Sequence, residues 1–159
     1  MTQGSVITEE MKKAIGVESE PTVVLIEKEP IRRFAEAIGD SNPLFNDEEY
    51  AKKAGYRSII APPGFHPQYS YRIKRGSRRM GADMPRIRSP FSRNLNGGNE
   101  YEFFQPIQAG DVISVTNRIG DIYERDGRLG KMLFIISETV YRNQKNEVVF
   151  IMRHVGISY

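Results

Sequence analysis

The spacing of apolar positions changes once along this chain, near Asn94. The first third is mainly helical in pattern, and an irregular basic middle separates it from a strand-rich last part. Ile31, Phe34, Ala35 and Ile38 recur at i, i+3, i+4 and i+7, which places them on one face of a helix. Pro30 suits the first turn of that helix and Gly39 its C-terminal stop. A second, short helix is predicted from about Asp47 to Ala54, with Asn46 as N-cap, Glu49 three residues on and Gly55 as its end. The run Ile59-Ile60-Ala61-Pro62-Pro63-Gly64-Phe65 reads as a buried segment, a proline-enforced turn and a helix start. Phe65, Tyr69, Arg72 and Ile73 then have helical spacing, with Pro67 confined to the first turn. Gly76, Gly81, Pro85 and Pro90 mark a long loop.

After Asn94 the period becomes two, with β-branched and aromatic residues. Strands are predicted over Asn99 to Gln105, Val112 to Tyr123, Met132 to Tyr141 and Val148 to Ile157. The stretch Arg125-Asp126-Gly127-Arg128 is a hairpin signal, and Asn143 to Asn146 is a turn. Four strands joined mostly by tight turns predict an antiparallel meander, and Thr22 to Ile26 could add an edge strand. Gly97-Gly98 fits either a bulge or the close approach of a ligand, so Asn96 and Gly97 are candidate binding residues. Helices followed by an antiparallel sheet predict an α+β domain over residues 1–159, its sheet curved round a helix. One helix cannot cover both faces of such a sheet, so the other face is expected to meet another subunit.

Composition narrows the chemistry. With 159 residues, 39% hydrophobic and 27% charged, the chain is of ordinary globular type. It has no Cys and two His. Disulfide scaffolds, zinc ribbons, thiol nucleophiles and Cys-held clusters are excluded, and imidazole chemistry must use His66, His154 or another chain. No apolar run approaches the roughly 20 residues of a membrane span and the N-terminus has no signal-peptide pattern, so a cytoplasmic protein is the default expectation. P-loop and dinucleotide fingerprints are absent. The net charge of +3 is unevenly spread. Arg72, Lys74, Arg75, Arg78, Arg79, Arg86, Arg88 and Arg93 stand against Asp83 alone, so residues 72–93 carry +7 and the rest of the chain −4. Such a segment is either a solvated loop or a phosphate-recognising one, since Arg makes bidentate phosphate contacts. Nucleic acid ranks below a small phosphate-bearing ligand, because no nucleic-acid-binding motif accompanies the charge.

The stretch Ala37-Ile38-Gly39-Asp40-Ser41-Asn42-Pro43-Leu44 is ordinary turn chemistry by itself. With its surroundings it resembles the hydratase-2 motif of MaoC-like (R)-specific enoyl-thioester hydratases and dehydratases, Gly-Asp-x-Asn-Pro-aliphatic-His-x-Asp/Asn. Asp47 and Ala51 fit as well. Gly55-Tyr56 with Ile59 to Phe65 is similar to the family's Gly-aromatic…Ile-Ala-His-Gly segment. Phe104-Gln105-Pro106-Ile107-Gln108-Ala109-Gly110-Asp111 is similar to its aromatic-x-x-Pro-aliphatic-x-x-Gly-Asp turn. The arrangement most resembles the N-terminal MaoC dehydratase, or FAS1-like dehydratase, domain. The resemblance implies a single hot-dog fold, dimerising so that active sites lie between two hot dogs. It implies a 2-enoyl-CoA or acyl-carrier thioester as substrate, with no cofactor and no metal. Asp40 and Asn42 would belong to the catalytic motif. Backbone N–H groups near Gly64 and Phe65 would polarise the thioester carbonyl, and Arg72 and Arg75 would hold phosphate.

The sequence departs from the family where the chemistry sits. Phe45 stands at the position of the motif His, and Pro63 at that of the second family His. A phenyl ring moves no proton, and the missing assistance is typically about 10²–10⁴-fold in rate. The resemblance therefore implies a substrate-binding subunit working beside a motif-intact hot dog, as a heterodimer. A homodimer active by itself would have to use Asp40 and His66, although His66 also reads as a solvated residue at a helix start. Hot-dog domains also act as thioesterases or as non-catalytic acyl-CoA binders, and the fold does not choose among these. His154 is expected at a surface or interface.

Overall fold

The structure, a computed structural model, describes residues 4–67, 87–128 and 130–159. Its elements in chain order are α1 (Glu9–Ala14), β1 (Thr22–Leu25), α2 (Lys28–Ala37), a 3₁₀ turn (Pro43–Phe45), α3 (Glu48–Lys53), β2 (Asn94–Phe103), β3 (Val112–Gly127), β4 (Gly130–Arg142) and β5 (Val148–Ser158). The helix expected over Phe65, Tyr69, Arg72 and Ile73 lies outside the described residues from position 68 on. So does the basic segment through Arg86, with Arg72 and Arg75.

Helix α2 buries Ile31 and Ala35, as its spacing predicts. It stops at Gly39, whose φ of +71° is cheap only for glycine. The Gly39 N–H donates to the Glu36 carbonyl and the Asp40 N–H to the Ala35 carbonyl, the paired bonds of a Schellman ending. Helix α3 corrects one expectation. Its N-cap is Asp47, whose carboxylate accepts from the Tyr50 N–H at 3.0 Å, because Asn46 already closes the preceding 3₁₀ turn. Helix α1 was not foreseen. It is capped by Thr8, which accepts from the Met11 N–H.

The five strands form one sheet in the order β1-β3-β4-β5-β2, with every neighbouring pair antiparallel. The expected meander holds for β3, β4 and β5 only. Strand β2 pairs with β5 at the far edge, since Phe104 to Asp111 is a long crossing connection and not a tight turn. In the hairpin after β3, Gly127 and Gly130 are the last pair, so Asp126 and Gly127 remain in the strand. Strand β1 is the edge strand expected near Thr22. The register of β2 shifts between Asn96 and Gly98, so Gly97 marks a bulge. A Cβ on Gly97 would sit 2.9 Å from Ile157 Cδ1, and this crowding explains the glycine.

The two faces of the sheet differ in kind. On the inner face, Val115, Tyr141, Phe150 and Phe103 form one cross-strand row, and Asn117, Thr139, Met152 and Tyr101 the next. The main core joins this face to α2, the 3₁₀ turn and the segment Ile59 to Phe65. A second core lies further along, where Met11 of α1 packs with Ile119, Ile122 and Leu133. On the outer face, Arg118, Glu138, Arg153 and Glu100 stand opposite one another across four strands. Burial works against the Glu138 charge, but hydrogen bonds from Arg118 at 2.7 Å and Arg153 at 2.9 Å outweigh it and lower its pKa.

Candidate functional site

The motif loop is shaped by its own polar side chains. The Asp40 carboxylate accepts from the Asn42 N–H at 3.0 Å, and the Asn42 side-chain oxygen accepts from the Leu44 N–H at 3.1 Å. These two short turns aim Phe45 inward, where it is 5% exposed within the main core. The next segment is pinned on both sides. The Ile60 N–H donates to the Leu44 carbonyl, while Ala61 N–H donates to Ile107 and Ala109 N–H to Ile59. After it, Pro62-Pro63-Gly64-Phe65 makes a β-turn closed by a 3.0 Å bond from the Phe65 N–H to the Pro62 carbonyl. Proline at the second position and Gly64 at φ +90° in the third are what a type II turn requires.

Together these segments enclose a cleft of about 430 Å³. Phe45, Phe65, Phe103, Phe104 and Phe150 supply its aromatic walls, and Leu44, Ile60, Ala61, Pro62, Pro63, Pro106 and Ile107 the remainder. Asn42 and Gln105 are its amide-bearing members. A cavity of this size and lining suits an apolar chain with a few polar contacts. Its frame rests on Asp111, which is 4% exposed. Its carboxylate accepts from the Gln108 N–H at 2.8 Å, from the Gln144 amide at 3.1 Å and from the Arg57 guanidinium. This clasp ties the Gly110-Asp111 turn to the loop that leads into Ile59.

Asn42, Phe45 and Phe65 are thus brought to one cleft, and Gly64 lies in the turn between Pro63 and Phe65. Asp40 is half-buried at the end of α2 and is not part of the wall. His66 is not the solvated residue of a helix start. It is 9% exposed, with Nε2 3.1 Å from the Tyr101 hydroxyl and Nδ1 3.4 Å from the Tyr141 hydroxyl. Burial lowers its pKa, so its neutral form is favoured. Asn96 sits seven residues from Phe103 along β2, roughly 23 Å at strand rise. With His154 it lines a separate cavity of about 440 Å³. His154 is half-buried on the sheet, its Nδ1 3.0 Å from the Asn99 side-chain oxygen. Among the described residues no group of three or more His, Asp or Glu could hold a metal ion, and no helix is long and apolar enough to cross a membrane. Tyr101, Tyr141, Phe103 and Phe150 are the site residues that sequence reasoning missed. Their only signal was the period-two aromatics Tyr101 and Phe103, which fit any half-buried strand.

Comparison with known proteins gives this geometry a family. A UPF0336 protein of Thermobifida fusca is 41% identical over 108 residues, covering 68% of this chain and 67% of that protein. A probable enoyl-CoA hydratase alpha subunit of Thermomonospora curvata is 30% identical over 132 residues, which are 77% of this chain and 41% of that longer one. Among solved structures, the ChsH1–ChsH2 complex of Mycobacterium tuberculosis matches with a TM-score of 0.72 at 22% identity, covering 89% of this chain and 84% of the other. A MaoC-like dehydratase from Rhodospirillum rubrum matches with a TM-score of 0.62 at 19% identity, over 92% of each chain. Both likenesses are of the hot-dog fold. The sequence profile of the FAS1-like dehydratase domain region matches residues 13–152, and the chain belongs to that family.

Proposed function

We propose that this chain is the acyl-binding subunit of a two-subunit (R)-specific enoyl-thioester hydratase or dehydratase. The observation that carries the reading is Phe45: at the position of the motif His, its ring is buried in the core and forms a wall of the apolar cleft. A group so placed holds an acyl chain and cannot carry a proton. The Asp40 carboxylate is engaged in its own turn, and both His66 ring nitrogens face tyrosine hydroxyls. Neither supports a self-sufficient acid–base pair. In this reading a motif-intact hot dog supplies the imidazole and carboxylate, and the CoA or acyl-carrier arm reaches the cleft from the side of that partner. Strand β2 offers the place for it. It is an edge strand, exposed along its whole length, with Leu95, Tyr101 and Phe103 uncovered.

Hydration of a short and a long 2-enoyl-CoA by the chain alone, by a motif-intact hot-dog subunit alone and by the mixture tests the reading. Turnover is expected to need the partner, and the long substrate is expected to gain most from the mixture. Equal turnover by the isolated chain and the mixture would overturn it. Release of free CoA from a saturated acyl-CoA would replace it with thioester hydrolysis.

A further inference from the structure

A polar cluster centred on the buried His66 adjoins the aromatic wall of the cleft. His66 follows Phe65 directly and lies 6.2 Å from Phe150, centroid to centroid. It meets Tyr101 edge-on at 5.5 Å, and Tyr101 stacks on Phe103 at 6.1 Å with the rings 9° from parallel. Phe65, Phe103 and Phe150 all line the cleft. Tyr101 is thus one ring away from the space where an apolar chain would lie.

The hydrogen bonding of the cluster has a direction. A neutral imidazole carries one N–H and one bare nitrogen, so it donates on one side and accepts on the other. With the proton on Nε2, the Tyr101 oxygen accepts from His66 at 3.1 Å and its own O–H turns outward as a donor. With Nε2 bare, that O–H is spent inward. Tyr141, at 1% exposure, anchors the other side of the ring, while Tyr101 is 36% exposed on β2. Tyr101 is therefore the member of the cluster that an incoming ligand can reach. A carbonyl oxygen beside an apolar chain needs one donor at the edge of an apolar cleft, and it would select the Nε2–H form.

We propose that the Tyr101 hydroxyl, positioned by His66, is the donor with which this chain engages the thioester carbonyl of a ligand whose acyl chain fills the cleft. This assignment rests on the acyl-thioester reading above. No bond is made or broken in it: Tyr101 orients the thioester for chemistry performed by the partner.

The test is the binding of octanoyl-CoA and of S-octyl-CoA, the thioether that lacks the carbonyl, to the full chain by calorimetry. The wild type is expected to prefer the thioester by roughly three- to tenfold, the range a neutral hydrogen bond gives. Tyr101→Phe keeps the ring on Phe103 and is expected to abolish that preference while leaving thioether affinity unchanged. His66→Leu is expected to lose the preference too, and His66→Gln, whose amide can donate to Tyr101, to recover part of it. A preference that survives Tyr101→Phe, or an equal loss of both ligands, overturns the assignment, as does a wild type that binds both alike. A wild type that binds neither overturns the acyl-thioester reading together with the assignment.

Discussion

Restoring the missing histidine is expected to cost stability without restoring chemistry. Phe45→His replaces a ring that is 5% exposed and packed in the main core. Burying a phenyl side chain contributes about 1.5–3 kcal/mol relative to leaving it exposed, and an imidazole recovers only part of that. Its two nitrogens would enter a wall of Leu44, Ile60, Phe65 and Phe150, where a buried polar group without a partner costs about 1–3 kcal/mol. The sum points to a loss of about 3 kcal/mol. With a urea m-value of about 2 kcal/mol/M for a domain of this size, the midpoint should fall by roughly 1.5 M. The assay is urea unfolding at fixed protein concentration, at pH 8, where an ordinary imidazole is neutral. Octanoyl-CoA binding should weaken in parallel, and the isolated variant should stay inactive because Asp40 remains committed to the Asn42 N–H. A midpoint within about 0.3 M of wild type would refute the claim that Phe45 is a core and cleft-wall residue. Enoyl-CoA hydration by the isolated variant would refute the claim that the motif is structurally disarmed.

Three further outcomes are expected. The folded state holds the His66 pKa below its ordinary 6.5 through burial, so it favours the neutral ring. The stability this contributes is full above about pH 6.5 and is lost as pH falls toward the lowered folded value; a urea midpoint that declines equally in His66→Gln across that window would assign the decline to other groups. Asp111→Ala leaves the half-buried Gln108 N–H without its acceptor and unties Arg57 and Gln144, for a loss of about 2 kcal/mol and weaker acyl-CoA binding. An unchanged midpoint would show that the clasp does not hold the cleft. Gly39→Val forces a β-branched residue to a φ of +71° at the end of α2 and should cost at least about 1–2 kcal/mol, read as a lowered melting temperature. Gly39→Asn should lose less, since Asn tolerates that region.

Local chemistry was legible in the sequence. The end of α2 at Gly39, the cap-rich loop from Asp40 to Asp47 and the proline turn before Phe65 are set by residues within a few positions of one another. Strand existence was legible for the same reason, because period two is a property of the chain itself. Strand order was not: β2 pairs with β5 through Tyr101–Met152 and Phe103–Phe150, contacts about fifty residues apart, and any of the strands carried a suitable face. The cap of α3 fell one residue later than predicted because Asn46 had a competing role in the preceding turn.

What the sequence by itself determined is the absence of an imidazole at Phe45, the shape of the loop that carries it and the family pattern on which both are read. A side chain's chemical type is a local fact. Only the tertiary structure decided that Phe45 lies in the wall of a cleft, that Asp40 is held in its own turn, and that His66 is buried between two tyrosines from β2 and β4. Burial and the partners of a polar group depend on which distant strands pack against it, and no spacing along the chain records that.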